Sequence, residues 1–262
     1  MKQRAEERVL ENILALFETR NHIFVNRRNT LIVFVSDFNR IRAAKRVRRA
    51  VTRHAVVDSA PELFRAEEND AQRAPAFRDV KDLTVAVNDT GFPEGAEKHG
   101  FRGVSELVAR HKVKTLYASH IGTNPETGKQ MSEGTMDVRL TPQGTLAEKI
   151  RAGGFGLGGV LTPTGIGTDI AEGKQVINVD GKDYLLETAL KGDVCLIKGS
   201  IVDKLGNVYY KGTTKNFCPL MAAACKTVIV EAEKLVEPGE IAPEDVMTPF
   251  VLVDYIVVGG NN

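Results

Sequence analysis

The sequence predicts an α/β protein in which a mostly parallel sheet is flanked by helices. Three features support this prediction. Short apolar segments typical of buried strands recur from residue 80 onward, segments with helical spacing separate them, and loops rich in amides and glycine follow several of them. In sheets of this kind, function resides in the loops beyond the carboxyl ends of the strands.

The predicted elements can be placed along the chain from this alternation. Strands are expected at residues 83–88, 113–119, 137–142, 193–198, 227–231 and 250–258. Helices are expected at residues 104–111, 143–151 and 217–225, and Gly153 and Gly154 should end the second of them. Residues 176–187 have the pattern of a hairpin with Asp180-Gly181 at its turn.

Composition divides the chain near residue 80. All 24 glycines lie at Gly91 or later, and residues 1–80 contain 14 Arg and 2 Lys, against 4 Arg and 15 Lys in residues 81–262. Residues 1–79 are therefore interpreted as an atypical Arg-rich segment that is disordered or altered by a change of reading frame. They include a predicted amphipathic helix near residues 9–17. Residues 80–262 form the predicted main domain.

Charge and residue usage argue against several classes of protein. The 35 basic and 34 acidic residues nearly cancel, so we expect neither a nucleic-acid nor a membrane partner. Residues 40–53 carry seven basic residues and no acid, which favours a solvated stretch over a nucleic-acid patch. The three cysteines form no CxxC pair, the five histidines lack ligand spacing, and the start is too charged for a signal peptide. We expect a cytoplasmic protein without a metal site.

Two phosphate-binding patterns are present only in part. Gly154 to Gly159 fit GxGxxG, but a predicted helix precedes them where the dinucleotide fingerprint needs a strand. Gly122 to Gln130 resemble a P-loop, but the glycines are one residue too far apart and Gln130 replaces the Ser or Thr that binds Mg²⁺. We reject both as nucleotide sites.

Four loops remain as candidates for a functional site. They share neutral donors and glycine, and they comprise residues 88–91, 119–130, 141–145 and 162–168. Donors of this kind can stabilise charge that develops on an oxygen atom. Ordinary turn and cap chemistry explains the same residues equally well.

Several long motifs nevertheless resemble the alpha subunit of family I CoA-transferases. They are LTPQGTLAEKIRAGG from Leu140, LTPTGIGTDIAEGK from Leu161, GNVYYKGTTKNFCPLMAAA from Gly206, and the tail from VEPGEIAPEDVMTP to VDYIV. NDTGF and ASHIGTNPETGKQ are most similar to the acetate or butyrate–acetoacetate branch. The resemblance covers residues 80–258.

This resemblance implies a fold, a partner and a mechanism. Alpha and beta subunits of the family share the CoA-transferase fold and form a heterotetramer. A glutamate in an SENG motif of the beta subunit attacks acyl-CoA, so an acyl-glutamyl anhydride and then a glutamyl-CoA thioester form. CoA is a substrate here, with no permanently bound cofactor, and the acids expected are acetate, butyrate and acetoacetate.

The resemblance also assigns roles to residues of this chain. The amides of Asn88 and Gln143 match family positions that face the reacting carboxylate and thioester. Gly144, Gly165 and Gly167 are the candidate CoA-binding positions. The chain contains no SENG string, so activity should require a beta subunit. Rival interpretations are a sugar-phosphate isomerase on the related fold, whose motifs are absent, and a degenerate subunit or binding module that uses the basic segment.

One family feature is missing from this chain. Alpha subunits open with a strand and a Gly-Gly-Phe loop, which should lie some thirty residues upstream of Leu83. No glycine occurs there, and the only Gly-Gly-Phe string, Gly153 to Phe155, belongs to another motif. This puts a central strand and part of the active-site wall in doubt.

Overall fold

A computed structural model of the chain describes residues 32–35, 46–47, 82–91 and 104–258. These residues form two sheets and four α-helices. The strands, in chain order, are β1 Ile32–Val35, β2 Arg46–Val47, β3 Leu83–Val87, β4 Val113–Ala118, β5 Asp137–Leu140, β6 Gly159–Thr162, β7 Val176–Val179, β8 Lys182–Thr188, β9 Gly192–Asp203, β10 Val208–Tyr209, β11 Cys225–Val236 and β12 Tyr255–Val258. The helices are α1 Val104–Ala109, α2 Pro125–Ser132, α3 Gln143–Gly154 and α4 Cys218–Ala224.

The main sheet is mostly parallel, as the sequence predicts. Its order is β2-β12-β11-β9-β1-β3-β4-β5, and β10 pairs with β9 to complete nine strands. Only the β2–β12 and β10–β9 pairs are antiparallel. Because the remaining pairs are parallel, the carboxyl ends of β3, β4 and β5 lie along one edge, where the loops that follow them can meet.

A central strand is present although the glycine-rich opening block is absent. Strand β1 lies between β3 and β9 and is parallel to both, with Val33 opposite Val85 on one side and Val194 on the other. Its sequence, IVFV, has the β-branched and aromatic composition of a buried parallel strand. Residues Ile32–Val35 thus supply a central strand, although the Gly-Gly-Phe loop expected after it is missing. The predicted helix near residues 9–17 and most of the basic run at 40–53 lie outside the described residues.

The sheet separates two apolar clusters, one on each face. One face carries alternate residues of β3, including Leu83 and Val85, which pack with Val108 of α1. The other face is covered by α3 and α4, whose Ile150 and Met221 are fully buried. This alternation follows from the two-residue period of the strands. Helix α3 is thereby fixed against the sheet, with its first turn next to the edge where β5 ends.

Helix α3 continues through Gly153 and Gly154, so the prediction that these glycines end it is wrong. A side chain at Gly153 would lie 2.1 Å from the carbonyl oxygen of Leu190, and one at Gly154 would lie 2.7 Å from Ala223. The helix needs glycine here because it passes directly against neighbouring backbone. The cost of glycine within a helix, about 1 kcal/mol each, is offset by this close packing.

Residues 125–132 form helix α2, although most of them lie in the predicted loop at residues 119–130. Asn124 caps the helix, because its side-chain oxygen accepts a hydrogen bond from the backbone N–H of Glu126 at 3.1 Å. Pro125 follows at the first helical position, where its missing N–H is not needed. The P-loop-like string therefore forms the capped start of a helix.

The second sheet is small and antiparallel, in the order β6-β8-β7. Strands β7 and β8 form the predicted hairpin, and Asp180 and Gly181 at its turn have φ values of 51° and 78°. Positive φ at both central residues is the geometry that an Asp-Gly turn favours. Strand β6 follows the GxGxxG-like string, so that string lies between helix α3 and a strand.

The strands near the carboxyl terminus differ in length from the prediction. Strands β9 and β11 extend well beyond the predicted segments, and they pair over most of their length. Residues 250–258 do not form one strand: Phe250–Leu252 is a 3-10 helix, and only Tyr255–Val258 is extended. Between them, the side chain of Asp254 accepts a hydrogen bond from the backbone N–H of Val228 at 2.8 Å.

Candidate functional site

Two amide side chains meet at the carboxyl edge of the main sheet. Asn88 follows β3 directly. Gln143 is the first residue of α3 and lies three residues after Leu140, the last residue of β5. The Nε2 atom of Gln143 donates a hydrogen bond to Oδ1 of Asn88 at 3.1 Å, although 55 residues separate the two in sequence. This bond leaves the Nδ2 group of Asn88 and one N–H of Gln143 available as donors.

The backbone of Asn88 is held by the loop that follows β4. Its carbonyl oxygen accepts bonds from the backbone N–H groups of Ser119 and His120, both at 3.1 Å, and from the Ser119 hydroxyl at 2.8 Å. Three donors on one carbonyl oxygen restrict the backbone at this residue. The Asn88 side chain therefore projects from a fixed position at the sheet edge.

Buried polar contacts continue this restraint along the next residues. The hydroxyls of Thr90 and Thr127 are 2.7 Å apart, and both side chains are fully buried. The Nδ2 group of Asn124 donates to the Thr90 carbonyl at 3.2 Å while its oxygen caps α2. Since buried hydroxyls and amides are costly when unpaired, these contacts join the 88–91 loop to the start of α2.

Gly144 lies beside Gln143 in the first turn of α3 and is exposed, with open space around its α-carbon. Backbone N–H groups in a first helical turn have no partner within the helix, and the helix dipole makes this end electropositive. The position of Gly144 thus leaves these N–H groups accessible beside the amide pair.

Gly165 and Gly167 lie in a different loop, which follows β6. Their φ values are 95° and 75°, a region that favours glycine. A side chain at Gly165 would come within 2.8 Å of Ile170, so the residue is also restricted by packing. Among the described residues, no recorded contact joins either glycine to Asn88 or Gln143. The structure brings together the amide pair and Gly144, and the placement of Gly165 and Gly167 at the same site stays a prediction.

Sequence reasoning missed a buried ionic cluster behind these loops. Glu187 on β8 is 1% exposed and contacts the ammonium groups of Lys149 and Lys174 at 2.6 and 2.5 Å. Burial alone would raise the pKa of this carboxyl group, but the two ammonium groups lower it below its usual value. Glutamate and lysine at positions 149, 174 and 187 form no recognisable motif, so only the fold reveals them.

A second buried carboxylate has the opposite environment. Glu231 on β11 is 5% exposed, and its Oε2 atom has no hydrogen-bond partner. Burial raises the pKa of Glu231 to about 7, although Lys198 in the paired position on β9 acts to lower it. Lys198 instead lies 3.6 Å from Glu233. Glu231 therefore titrates near neutral pH.

The described residues contain neither a candidate metal site nor a candidate membrane-spanning helix. No group of three or more His, Cys, Asp or Glu within them could hold a metal ion. None of their helices is long and apolar enough to cross a bilayer.

Comparison with known families decides what kind of protein carries this site. The sequence profile described as coenzyme A transferase matches residues 71–259. The chain belongs to this family. The match begins before β3 and ends just after β12, so it includes both loops of the amide pair. The resemblance stated from the motifs is confirmed.

The relatives of the chain are alpha subunits. It is 55% identical over 178 residues to the acetoacetyl-CoA:acetate/butyrate CoA transferase alpha subunit of Clostridium acetobutylicum, covering 68% of this chain and 78% of the relative. It is 49% identical over 179 residues to the acetate CoA-transferase subunit alpha of Escherichia coli, with the same coverage. These relatives support the CoA-transferase interpretation, and the binding-module alternative finds no support.

Solved structures confirm the fold. An acyl-CoA transferase of E. coli O157:H7, solved as a thioester complex with CoA, gives a TM-score of 0.58 at 22% identity, covering 69% of this chain and 38% of that one. Glutaconate coenzyme A-transferase of Acidaminococcus fermentans gives 0.56 at 16% identity, covering 69% and 63%. This chain thus spans less than half of the first enzyme and less than two thirds of the second.

Proposed function

We propose that this chain is the alpha subunit of a CoA-transferase that moves CoA between short-chain acids such as acetate, butyrate and acetoacetate. A beta subunit would complete the enzyme as a cytoplasmic heterotetramer, and CoA would be a substrate without a further cofactor. The names of the relatives support this assignment, because they are alpha subunits of transferases that act on these acids.

The observation that carries the proposal is the contact between Gln143 and Asn88 at the sheet edge. Both groups are neutral donors, so they can bind a developing oxyanion without forming a permanent ion pair with a carboxylate nucleophile. The hydrogen bond uses Oδ1 of Asn88, so the Nδ2 group of Asn88 and the second N–H of Gln143 remain available to donate to a substrate oxygen.

The chemistry assigned to this region is nucleophilic catalysis by a carboxylate of the beta subunit. A glutamate oxygen attacks the thioester carbonyl, the C–S bond breaks, and CoA leaves as a thiolate. The thiolate then attacks the glutamyl carbonyl of the acyl-glutamyl anhydride, which forms the glutamyl-CoA thioester and releases the first acid as its carboxylate. A second carboxylate then reverses the sequence. Each attack places negative charge on a carbonyl oxygen, where the N–H groups of Asn88 and Gln143 would donate.

The test uses the chain alone, the chain co-expressed with a beta subunit that contains SENG, and the same complex carrying Gln143→Ala. We expect no CoA transfer by the chain alone and turnover by the complex. Gln143→Ala should lower kcat about a hundredfold, the effect of losing one oxyanion donor, with little change in KM.

Asn178→Ala is the matched control, since it removes an exposed amide from the hairpin of the small sheet. It should keep wild-type kinetics. Turnover by the isolated chain would refute the two-subunit proposal. Wild-type kcat in the Gln143→Ala complex would remove Gln143 from the site.

A further inference from the structure

The ionic cluster around Glu187 connects three separate parts of the chain. Lys149 projects from α3 to Oε2 of Glu187, and Lys174 projects from the loop after β6 to Oε1. The side chain of Glu187 is 2% exposed and that of Lys149 is 10% exposed, whereas that of Lys174 is 30% exposed. Each carboxylate oxygen therefore has its own ammonium partner, and the carboxylate cannot move toward one lysine without leaving the other.

The two lysines belong to the two elements that carry predicted substrate-binding positions. Lys149 lies two turns along α3 from Gln143 and Gly144. Lys174 lies near the end of residues 163–175, the loop that contains Gly165 and Gly167. Glu187 lies on β8, the central strand of the small sheet. The cluster thus links helix α3, which begins with Gln143 and Gly144, to the loop that contains Gly165 and Gly167.

The loop has few other polar attachments. Its remaining hydrogen bonds are local turns: the Thr168 hydroxyl donates to the Gly165 carbonyl at 2.8 Å and accepts from the N–H of Ile170 at 3.3 Å. Among the described residues, the hydrogen bonds of the loop stay within residues 162–174 with two exceptions: the N–H of Leu186 donates to the Gln175 carbonyl at 2.9 Å, and Lys174 donates to Glu187. The local turns give the loop its shape, the backbone bond at Gln175 starts the pairing with β8, and the Lys174–Glu187 ion pair is the side-chain contact that ties the loop to the buried cluster.

We propose that Glu187 is a positioning residue that fixes the loop of Gly165 and Gly167 relative to helix α3, and so sets how tightly the enzyme holds CoA. The inference rests on the proposed function and on the prediction from sequence that Gly165 and Gly167 bind CoA. Glu187 would touch neither CoA nor the reacting atoms. Its effect should pass through Lys174, so it should appear in CoA binding and leave the chemical step at the amide pair unchanged.

Lys174→Met in the assembled alpha–beta complex tests the inference. This variant removes the ammonium group, keeps most of the length of the side chain and leaves Glu187 paired with Lys149, so the buried carboxylate retains a partner. We expect KM for the acyl-CoA to rise about tenfold, as when an outer residue that orients a binding group is lost, while kcat stays within about twofold. Lys174→Arg keeps the charge and should restore KM to within about twofold of the wild type.

Lys226→Met is the matched control, because Lys226 makes an equally short ion pair with Asp193, 2.7 Å long, on an exposed surface outside the loop. It should leave both constants unchanged. Three outcomes would overturn the inference. Lys174→Met could leave KM for the acyl-CoA unchanged, or it could lower kcat alone. Lys174→Arg could have a KM as high as that of Lys174→Met. In those outcomes a wild-type complex that turns over leaves the proposed function standing, whereas an inactive wild-type complex refutes both.

Discussion

Two glutamates are buried in the part of the chain that the structure describes, one in each sheet, and their surroundings differ. Glu187 in the small sheet is 1% exposed and contacts two lysines, whereas Glu231 in the main sheet is 5% exposed and has an unpaired oxygen. The pKa of Glu187 is lowered, and that of Glu231 is raised to about 7. The two ammonium partners of Glu187 thus outweigh the effect of its burial on the pKa, whereas burial outweighs the effect of Lys198 on the pKa of Glu231.

This difference has a direct consequence for stability. A carboxyl group with a lowered pKa stabilises the fold above its unfolded pKa, and that contribution is lost as the pH falls through the folded value. A carboxyl group with a raised pKa behaves in reverse: its contribution is complete below the unfolded value and is lost as the pH rises through the folded value. Glu187 thus favours the folded state at neutral pH, while Glu231 opposes it.

The largest change should come from Lys149→Met, which removes one partner of Glu187. We expect the free energy of unfolding at pH 7 to fall by about 3–5 kcal/mol, because one oxygen of a buried charge loses its compensation. The value should lie toward the low end since Lys174 remains. Chemical denaturation of the purified chain measures it. A loss no larger than that of the surface variant Lys226→Met would contradict the buried-pair argument.

A smaller change of opposite sign is expected for Glu231→Gln, which removes the ionisable group from the main sheet. The stability of the variant relative to the wild type should increase from pH 4.5 to about 7, the range over which Glu231 ionises. The total increase should not exceed about 3 kcal/mol. Unfolding curves collected across this range would show it. A difference that does not vary with pH would mean that Glu231 ionises normally.

The smallest change in stability is expected for Lys198→Met, which removes the cation that lies opposite Glu231 in the main sheet. Lys198 lowers the pKa of Glu231, so its loss should move the pH-dependent step in stability to a higher pH. Glu231→Gln in the same background supplies the control, because it should abolish the step. A step that stays at the wild-type pH would show that Lys198 does not act on Glu231.

The sequence singled out Asn88 and Gln143 because both lie in motifs that match family positions, and their catalytic role stays a prediction. The contact between them was not predicted. The sequence also predicted the parallel arrangement, since apolar segments and helical segments alternate. These features depend on neighbours along the chain. Strand β1 was missed as a central strand because the expected glycine loop does not follow it, although IVFV has the composition that such a strand needs.

Other features depend on contacts that sequence patterns do not encode. Helix α2 was concealed by Pro125 and Gly128, although Asn124 before Pro125 is a typical start signal. Helix α3 continues through Gly153, where glycine is needed because the carbonyl of Leu190, far along the chain, lies against it. The partners of Glu187 lie 13 and 38 residues away, so no local pattern marks them.

The position of β1 also sets the order in which the main sheet can be completed during synthesis. Val33 pairs with Val85 and Val194, so its second partner is made about 160 residues later. At about 5–20 residues per second, the ribosome takes roughly 8–32 s to reach β9 after β1 has emerged. Throughout that interval one edge of β1 has no partner within the sheet and can pair with another nascent chain. Strand β1, which lies at the centre of the finished sheet, is thus an edge strand during most of the synthesis of the chain.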